Sequence, residues 1–191
     1  MGKEAWGIDV SKSSVKGVKV RRTGSRLELL EIDTIEFPVP TGKETVDADL
    51  QIREALSSFA RKNKLQGTIV GCSLLGHGTF NRIIKLPPVE ARRLEEIVRY
   101  EAQQHIPFKL EEVIWSYQPL DRQYEPGEER EVIIFAVKKD LVAQFLSNVD
   151  VINFPADILQ FAPTALYNFV KFDQDTSGTM VILDMGSDNT D

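Results

Sequence analysis

The stretch that decides the fold is AWGIDVSKSSVKGVKV, residues 5–20. Two apolar runs, 5–10 and 15–20, flank a polar tip of serine and lysine, and this pattern predicts two antiparallel strands joined by a short turn. Asp9 precedes the tip, with one apolar residue between them. Taken alone, the stretch fits an ordinary solvated hairpin as well as a phosphate-binding turn, so the choice depends on the rest of the chain.

The composition narrows the class of protein. The chain has 191 residues, a formal net charge of −6 and an isoelectric point of about 5.1. This acidic balance argues against a nucleic-acid partner and against an anionic membrane surface, since both are polyanions. The one cysteine, Cys72, can form no intrachain disulfide, which predicts a reducing, cytoplasmic location. No stretch is long enough to span a bilayer, so we expect membrane association only through a partner and no direct insertion.

Three predicted strands in succession form an antiparallel meander, and a helix and a buried strand follow it. Asp47 or Asp49 is expected to cap that helix, since an aspartate side chain accepts hydrogen bonds from the first N–H groups of a helix. A later helix is predicted to become regular near Ala162, because Pro163 fits only a first turn. The elements predicted for this part are the strands 5–10, 15–20, 27–37 and 68–75 and the helices 50–63 and 158–171.

A second, smaller unit is predicted in the middle of the chain. Pro87 and Pro88 precede an amphipathic helix that Pro107 stops, because the residue before a proline avoids the helical region. A hairpin, a helix and a short strand complete an α-β-β-α-β module, with strands at 112–120, 131–137 and 150–154 and its second helix at 138–148. The predicted fold class is α/β (α+β). The predicted domains are 1–85 with 155–177, an inserted module at 86–154, and the start of a further half at 178–191.

The end of the chain repeats its beginning. Residues 180–191, MVILDMGSDNTD, resemble residues 6–17, WGIDVSKSSVKG. In each copy an apolar run predicted to be a strand, 179–184 in the second, ends in aspartate; one apolar residue and a tip of small, hydroxyl or amide residues follow. Asp184 aligns with Asp9, Met185 with Val10, Gly186 with Ser11 and Asn189 with Ser14.

Both tips suit the binding of nucleotide phosphate. Backbone N–H groups of a tight turn can point into one concavity and bind phosphate oxygens, and hydroxyl groups and a lysine add donors and charge. A carboxylate ahead of the tip can hold a hydrated magnesium ion through water. The candidate phosphate-binding residues are Asp9, Ser11, Lys12, Ser13, Ser14, Lys16, Asp184, Gly186, Ser187, Asn189 and Thr190, with Asp9 and Asp184 as the magnesium-linked carboxylates.

The two tips resemble the phosphate motifs of the actin-like ATPase superfamily, which includes actin, Hsp70 chaperones and sugar kinases. Residues 82–120, RIIKLPPVEARRLEEIVRYEAQQHIPFKLEEVIWSYQPL, are similar to the PilM family of type IV pilus assembly proteins, whose signature E-A-x-x-x-I-P-F stands here at 101–108. The position of the inserted module matches PilM and FtsA rather than actin. The resemblance implies an actin-like, RNase H-like first subdomain and a chain that forms the N-terminal portion of a longer protein, ending at the start of a second actin-like half.

The resemblance also implies a function. Members of the family are cytoplasmic, ATP-binding scaffolds of an inner-membrane platform, with weak or undetected ATPase activity; they receive the cytoplasmic tail of the membrane protein PilN, and some self-associate. We therefore expect a PilN-like partner, self-association, and ATP with magnesium in the whole protein. In these 191 residues alone we expect no catalysis and little or no nucleotide binding. The candidate partner groove is Ile106, Pro107 and Phe108.

The family has glycine where Ser11 stands, and a serine there would be strained if the position required a positive φ.

Two other functions fit the sequence. One is an active ATPase or kinase of the same superfamily, although outside the two tips we find no aspartate placed as a base for a substrate hydroxyl. The other is the cytoplasmic part of a type II secretion platform, which has a similar fold. Cys72, His77 and His105 are not expected to form a metal site, because the sequence places no further soft ligand near Cys72 and His77. Cys72 is predicted to be a buried apolar side chain, and His105 is predicted to pack at the end of its helix.

Overall fold

The computed structural model describes residues 2–38, 47–74, 79–88, 91–120, 125, 127–173, 178 and 180–186. The strands of this part are β1 (Lys3–Val10), β2 (Ser14–Thr23), β3 (Arg26–Glu36), β4 (Ile69–Leu74), β5 (Thr79–Leu86), β6 (Val113–Pro119), β7 (Arg130–Lys138) and β8 (Ile158–Phe161). The helices are α1 (Ala48–Lys62), α2 (Leu94–His105), α3 (Lys139–Val151) and α4 (Ala162–Asp173), with short 3-10 turns at Ala91–Arg93 and Leu110–Glu112. The chain forms two compact units: the first unit is Met1–Gly76 with Phe145–Asp191, and the second unit is His77–Gln144.

The first unit contains a five-stranded sheet in the order β3-β2-β1-β4-β8. β1, β2 and β3 pair antiparallel, as the predicted meander requires, whereas β4 pairs in parallel with β1 and with β8. Because β1 and β4 run side by side in the same direction, their carboxyl ends meet at one edge of the sheet. The turn between β1 and β2 begins at that edge.

Alternate residues of β1 and one face of α1 build the core of the first unit. Trp6, Ile8 and Val10 are at most 3% exposed. The ring of Phe59 on α1 is fully buried and meets Trp6 edge to face, with the ring centroids 5.3 Å apart. A Cβ atom at Gly17 would overlap this ring, with Phe59 Cε2 only 2.8 Å away. Gly17 is therefore the position that lets α1 lie close to the sheet.

Aspartates fix both ends of α1. At its start, the side chain of Asp47 accepts hydrogen bonds from the N–H groups of Asp49 and the next residue at 3.0 and 3.2 Å, so Asp47 is the cap. At its end, Asp33 of β3 accepts hydrogen bonds from Lys62 Nζ at 2.5 Å and from Asn63 Nδ2 at 2.7 Å. The hydrogen bond from Lys62, and to a lesser degree the one from Asn63, holds the pKa of the Asp33 carboxyl below its usual value. The predicted helix is thus confirmed, and its end is tied to the meander.

The short strand predicted at 150–154 is wrong, because the preceding helix α3 continues to Val151. Asn153 then adopts a positive φ of 51°, and the N–H of Phe154 donates to the carbonyl oxygen of Val149 at 2.9 Å. This is the Schellman arrangement, in which an asparagine in the left-handed region ends a helix. Val, Ile and Phe favour strands locally, but here Val149 and Phe154 are buried in the core of the first unit.

A strand, β8, occupies the start of the helix predicted at 158–171. It pairs in parallel with β4. Asp157 fixes this junction, because its N–H donates to the carbonyl oxygen of Val70 at 2.9 Å and its carboxylate accepts from the Val70 N–H at 2.8 Å. α4 then starts at Ala162 with Pro163 in its first turn, as predicted.

The second unit contains a three-stranded antiparallel sheet in the order β5-β7-β6, with α2 packed against one face. The prediction missed β5, which pairs with β7 along its whole length, so the unit reads β-α-β-β before α3. It therefore begins at 77, before the predicted start at 86, and it ends inside α3 rather than at 154. Its buried core includes Ile84, Leu86, Val98, Ala102, Val132 and Ile134.

No helix in the described part of the chain combines the length and the apolarity that a membrane crossing requires.

Candidate functional site

The turn between β1 and β2 directs two backbone N–H groups at a single oxygen atom. The N–H of Ser11 donates to the carbonyl oxygen of Ser14 at 2.9 Å and closes the turn. The hydroxyl oxygen of Ser11 accepts hydrogen bonds from the N–H groups of Ser13 and Ser14 at 3.3 and 3.0 Å. The same hydroxyl lies 3.1 Å from both the carbonyl and the hydroxyl oxygen of Ser14. Converging N–H groups of this kind can bind an anion, and in this turn a hydroxyl oxygen stands at their focus.

Ser11 carries no backbone strain. Among the described residues other than glycine, only Asn153 has a positive φ. The condition under which a serine would be unfavourable at this position is therefore not met, because the turn closes through hydrogen bonds without a left-handed residue.

The carboxylate of Asp9 lies at the same edge of the sheet as this turn. Asp9 is exposed near the end of β1, and Lys16 of β2 is its cross-strand neighbour. The hydroxyl of Ser73, at the end of β4, donates a hydrogen bond to Asp9 Oδ1 and accepts one from the Val10 N–H at 3.4 Å. Ser73 is 8% exposed, so a buried hydroxyl holds the carboxylate in place.

Ser73 was missed by the sequence analysis. Its signal was a serine inside the apolar run TIVGCSLL, near the carboxyl end of a strand that was predicted to be buried. Only the parallel pairing of β1 with β4 places this serine beside Asp9.

The candidates of the first tip come together in one place. Lys12 is exposed at the tip, Lys16 is exposed on β2, and Ser14 is buried. One edge of the sheet thus carries a carboxylate, two lysines, two converging N–H groups and the hydroxyl on which they converge, contributed by Asp9, Ser11, Lys12, Ser13, Ser14 and Lys16.

The second tip is not assembled in the described residues. The strand predicted at 179–184 is wrong where the structure describes it, since residues 180–184 pair with no described strand and Met185 makes only an isolated bridge. Asp184 and Gly186 are exposed. Ser187, Asn189 and Thr190 lie outside the described residues, as does His77. In the part of the chain that the structure describes, no three His, Cys, Asp or Glu side chains gather as metal ligands.

Cys72 is buried, as predicted. Burial, and to a lesser degree the carboxylate of Asp157, raise the pKa of the Cys72 thiol to about 12. The thiolate that attack or metal binding requires is therefore scarce near neutral pH. His105 lies at the end of α2, with its Nε2 3.4 Å from Glu101 Oε2.

The apolar residues that follow α2 differ in their surroundings. Ile106 is buried, and its N–H donates to the carbonyl oxygen of Ala102 at 2.9 Å, so its side chain belongs to the core. Pro107 is exposed. Phe108 is half-buried, and Lys138 Nζ lies 4.6 Å from the centroid of its ring. Of the three groove candidates, only Pro107 and Phe108 are accessible at the surface.

The chain is similar to proteins of two bacterial assembly systems. Residues 7–191 match the family of type IV pilus assembly proteins PilM. A solved PilM-PilN type IV pilus biogenesis complex is similar with a TM-score of 0.64 and 24% identity, covering 87% of this chain and 50% of that one. The cytoplasmic domain of EpsL, an inner membrane component of the type II secretion system of Vibrio cholerae, is similar with a TM-score of 0.51 and 14% identity, covering 82% of this chain and 57% of that one.

These similarities confirm the predicted fold class, a mixed α/β protein of the actin-like type. The chain spans about half the length of the solved PilM structure, 50% of it. Because the two solved structures share only 24% and 14% identity with this chain, they show similarity of fold alone. The family match, by contrast, extends over nearly the whole chain. The chain therefore belongs to the PilM family of type IV pilus assembly proteins.

Proposed function

We propose that the chain is part of an actin-like scaffold that binds the phosphates of ATP at its first turn and receives the cytoplasmic tail of a PilN-like membrane protein. The observation that carries the nucleotide proposal is the convergence of two N–H groups on one point in the turn that follows Asp9 and the end of β1. Membership of the PilM family supports the role in pilus assembly. The scaffold would work in the cytoplasm, at the inner membrane through its partner, and self-association belongs to the same proposal.

The chemistry of the turn fits a nucleotide phosphate with magnesium. N–H groups and lysine ammonium groups are donors to phosphate oxygens. Asp9 would repel a phosphate directly, but its carboxylate suits a water molecule of a hydrated magnesium ion. Bound magnesium would neutralise part of the phosphate charge, and Ser73 would keep the carboxylate oriented towards it.

Replacing Asp9 by alanine is expected to weaken the binding of MgATP to the whole protein about thirtyfold, since groups that act on a metal through its outer shell typically contribute about 10–100-fold. Isothermal titration calorimetry of the wild type and of Asp9→Ala measures the difference. Asp150→Ala, which removes an exposed carboxylate near the end of α3, is the matched control and should bind as the wild type does. Unchanged affinity in Asp9→Ala would mean that Asp9 is only a turn residue.

The partner is proposed to dock on the second unit at the residues that follow α2. An exposed proline and a half-buried aromatic ring form an apolar surface there, and the cation of Lys138 lies beside the ring of Phe108. The complex of PilM with PilN supports the class of partner. The similarity to EpsL is one of fold and does not by itself favour a role in type II secretion.

Phe108→Ala is expected to weaken the binding of a PilN-like cytoplasmic tail about tenfold, because truncating a central aromatic anchor typically costs about 1–2 kcal/mol or more. Fluorescence anisotropy of a labelled peptide from the cytoplasmic tail of the PilN-like membrane protein measures the change in affinity. Tyr100→Ala is the control, since Tyr100 is an aromatic residue of the same unit and is 61% exposed. Trp115 fluorescence checks that both variants fold. A wild-type protein that does not bind the peptide contradicts the scaffold proposal.

A further inference from the structure

We infer that the hydroxyl of Ser11 competes with nucleotide phosphate for the backbone N–H groups of Ser13 and Ser14 in the first turn. Because the hydroxyl already accepts from these donors, it lowers the affinity for nucleotide phosphate about tenfold, the effect of one or two ordinary hydrogen bonds. The inference rests on the proposed nucleotide function and names a residue that sets the affinity of that site.

The competition follows from the geometry of the turn. The N–H groups of Ser13 and Ser14 already donate to Ser11 Oγ, at 3.3 and 3.0 Å. An N–H group makes one well-directed hydrogen bond at a time. A phosphate oxygen that uses these two donors must therefore take the position that the hydroxyl oxygen holds.

The hydroxyl is well suited to hold that position. Ser11 Oγ lies 3.1 Å from the carbonyl and hydroxyl oxygens of Ser14, so its own proton also has an acceptor. The N–H groups of Ser13 and Ser14 therefore have an acceptor within the turn, in the absence of any ligand. A phosphate oxygen forms stronger, charge-assisted hydrogen bonds than a hydroxyl. It can displace the hydroxyl, but it must first break two existing bonds.

The backbone allows a clean test of the hydroxyl. Because Ser11 has no positive φ, Ser11→Ala removes the oxygen without adding strain or the backbone freedom that glycine would bring. Ser25→Ala is the matched control, since Ser25 is an exposed serine in the turn between β2 and β3.

Amide hydrogen exchange, measured by NMR on this chain without ligand, tests directly whether the Ser11 hydroxyl accepts hydrogen bonds from the Ser13 and Ser14 amides. We expect the amides of Ser13 and Ser14 to be protected in the wild type and in Ser25→Ala, and to exchange about tenfold faster in Ser11→Ala. Equal exchange in the wild type and Ser11→Ala overturns the inference, whatever the nucleotide does.

Calorimetry with MgATP on the whole protein tests the effect on affinity. We expect Ser11→Ala to bind about tenfold more tightly than the wild type and Ser25→Ala to bind as the wild type does. Equal or weaker binding by Ser11→Ala overturns the inference alone and leaves the proposed nucleotide function standing. Failure of all three proteins to bind MgATP overturns the proposed function and the competition with it.

Discussion

Replacing Gly17 by alanine is expected to lower the free energy of unfolding of the first unit by about 3 kcal/mol, at the upper end of what overpacking a core usually costs. The new Cβ would overlap the ring of Phe59, whose Cε2 would lie only 2.8 Å from it. That ring is fully buried and held by its edge-to-face contact with Trp6, so relief requires α1 to move away from the sheet. Urea unfolding followed by the fluorescence of Trp6, in a Trp115→Phe background, measures the loss.

The same sheet supplies the control for this overpacking. A Cβ at Gly7 would meet its nearest atom, a methyl carbon of Val18, at an ordinary distance of 3.6 Å. Gly7→Ala should therefore change the stability by less than about 0.5 kcal/mol. Phe59→Leu, added to Gly17→Ala, should recover part of the loss because the two positions share one space. If Gly17→Ala is as stable as Gly7→Ala, the close approach of Phe59 to β2 is wrong.

Leu86→Ala is expected to destabilise the second unit by about 3 kcal/mol, since truncating a buried leucine leaves a cavity as well as losing apolar contact. Leu86 ends β5 and is 0% exposed. The variant therefore tests whether the strand that sequence analysis missed belongs to this core. Trp115 reports on the second unit, so its fluorescence in a Trp6→Phe background follows the unfolding.

Ile83→Ala on the same strand is the matched control for Leu86→Ala. Ile83 is 55% exposed, so its truncation should cost less than about 0.5–1 kcal/mol. The two substitutions remove the same kind of apolar side chain three residues apart, on opposite faces of one strand. Similar losses for both would contradict the register in which β5 pairs with β7.

The parts of the fold that depend on neighbours in sequence could be predicted. The meander follows from alternating apolar residues and short turns, and α1 follows from its apolar stripe and the cap at Asp47. β8 could not be found in this way, because it depends on a pairing of Val70 with Asp157 across 87 residues. The end of α3 was missed because the burial of Phe154, rather than its local propensity, decides the conformation around it.

The residues of the candidate site also fall into those that the sequence could predict and those that only the tertiary structure could place. The aspartate, serines and lysines of the first tip could be chosen from the sequence because they are contiguous and chemically suited to phosphate. Ser73 could not, because only the parallel pairing of β1 and β4 places it beside Asp9. The inward position of the Ser11 hydroxyl also had no sequence signal, since a serine in a turn can direct its oxygen to the backbone or to solvent.

The late arrival of β8 has a consequence for synthesis on the ribosome. Val70 and Asp157 are separated by 87 residues, which take roughly 4–17 seconds to add at about 5–20 residues per second. During this interval β4 has been made but its outer edge has no strand to pair with, and the whole second unit emerges. Within the described residues, the three strands of that unit form a sheet of their own, β5-β7-β6. The nascent chain is therefore expected to complete the inserted unit before it closes the sheet that surrounds it in sequence.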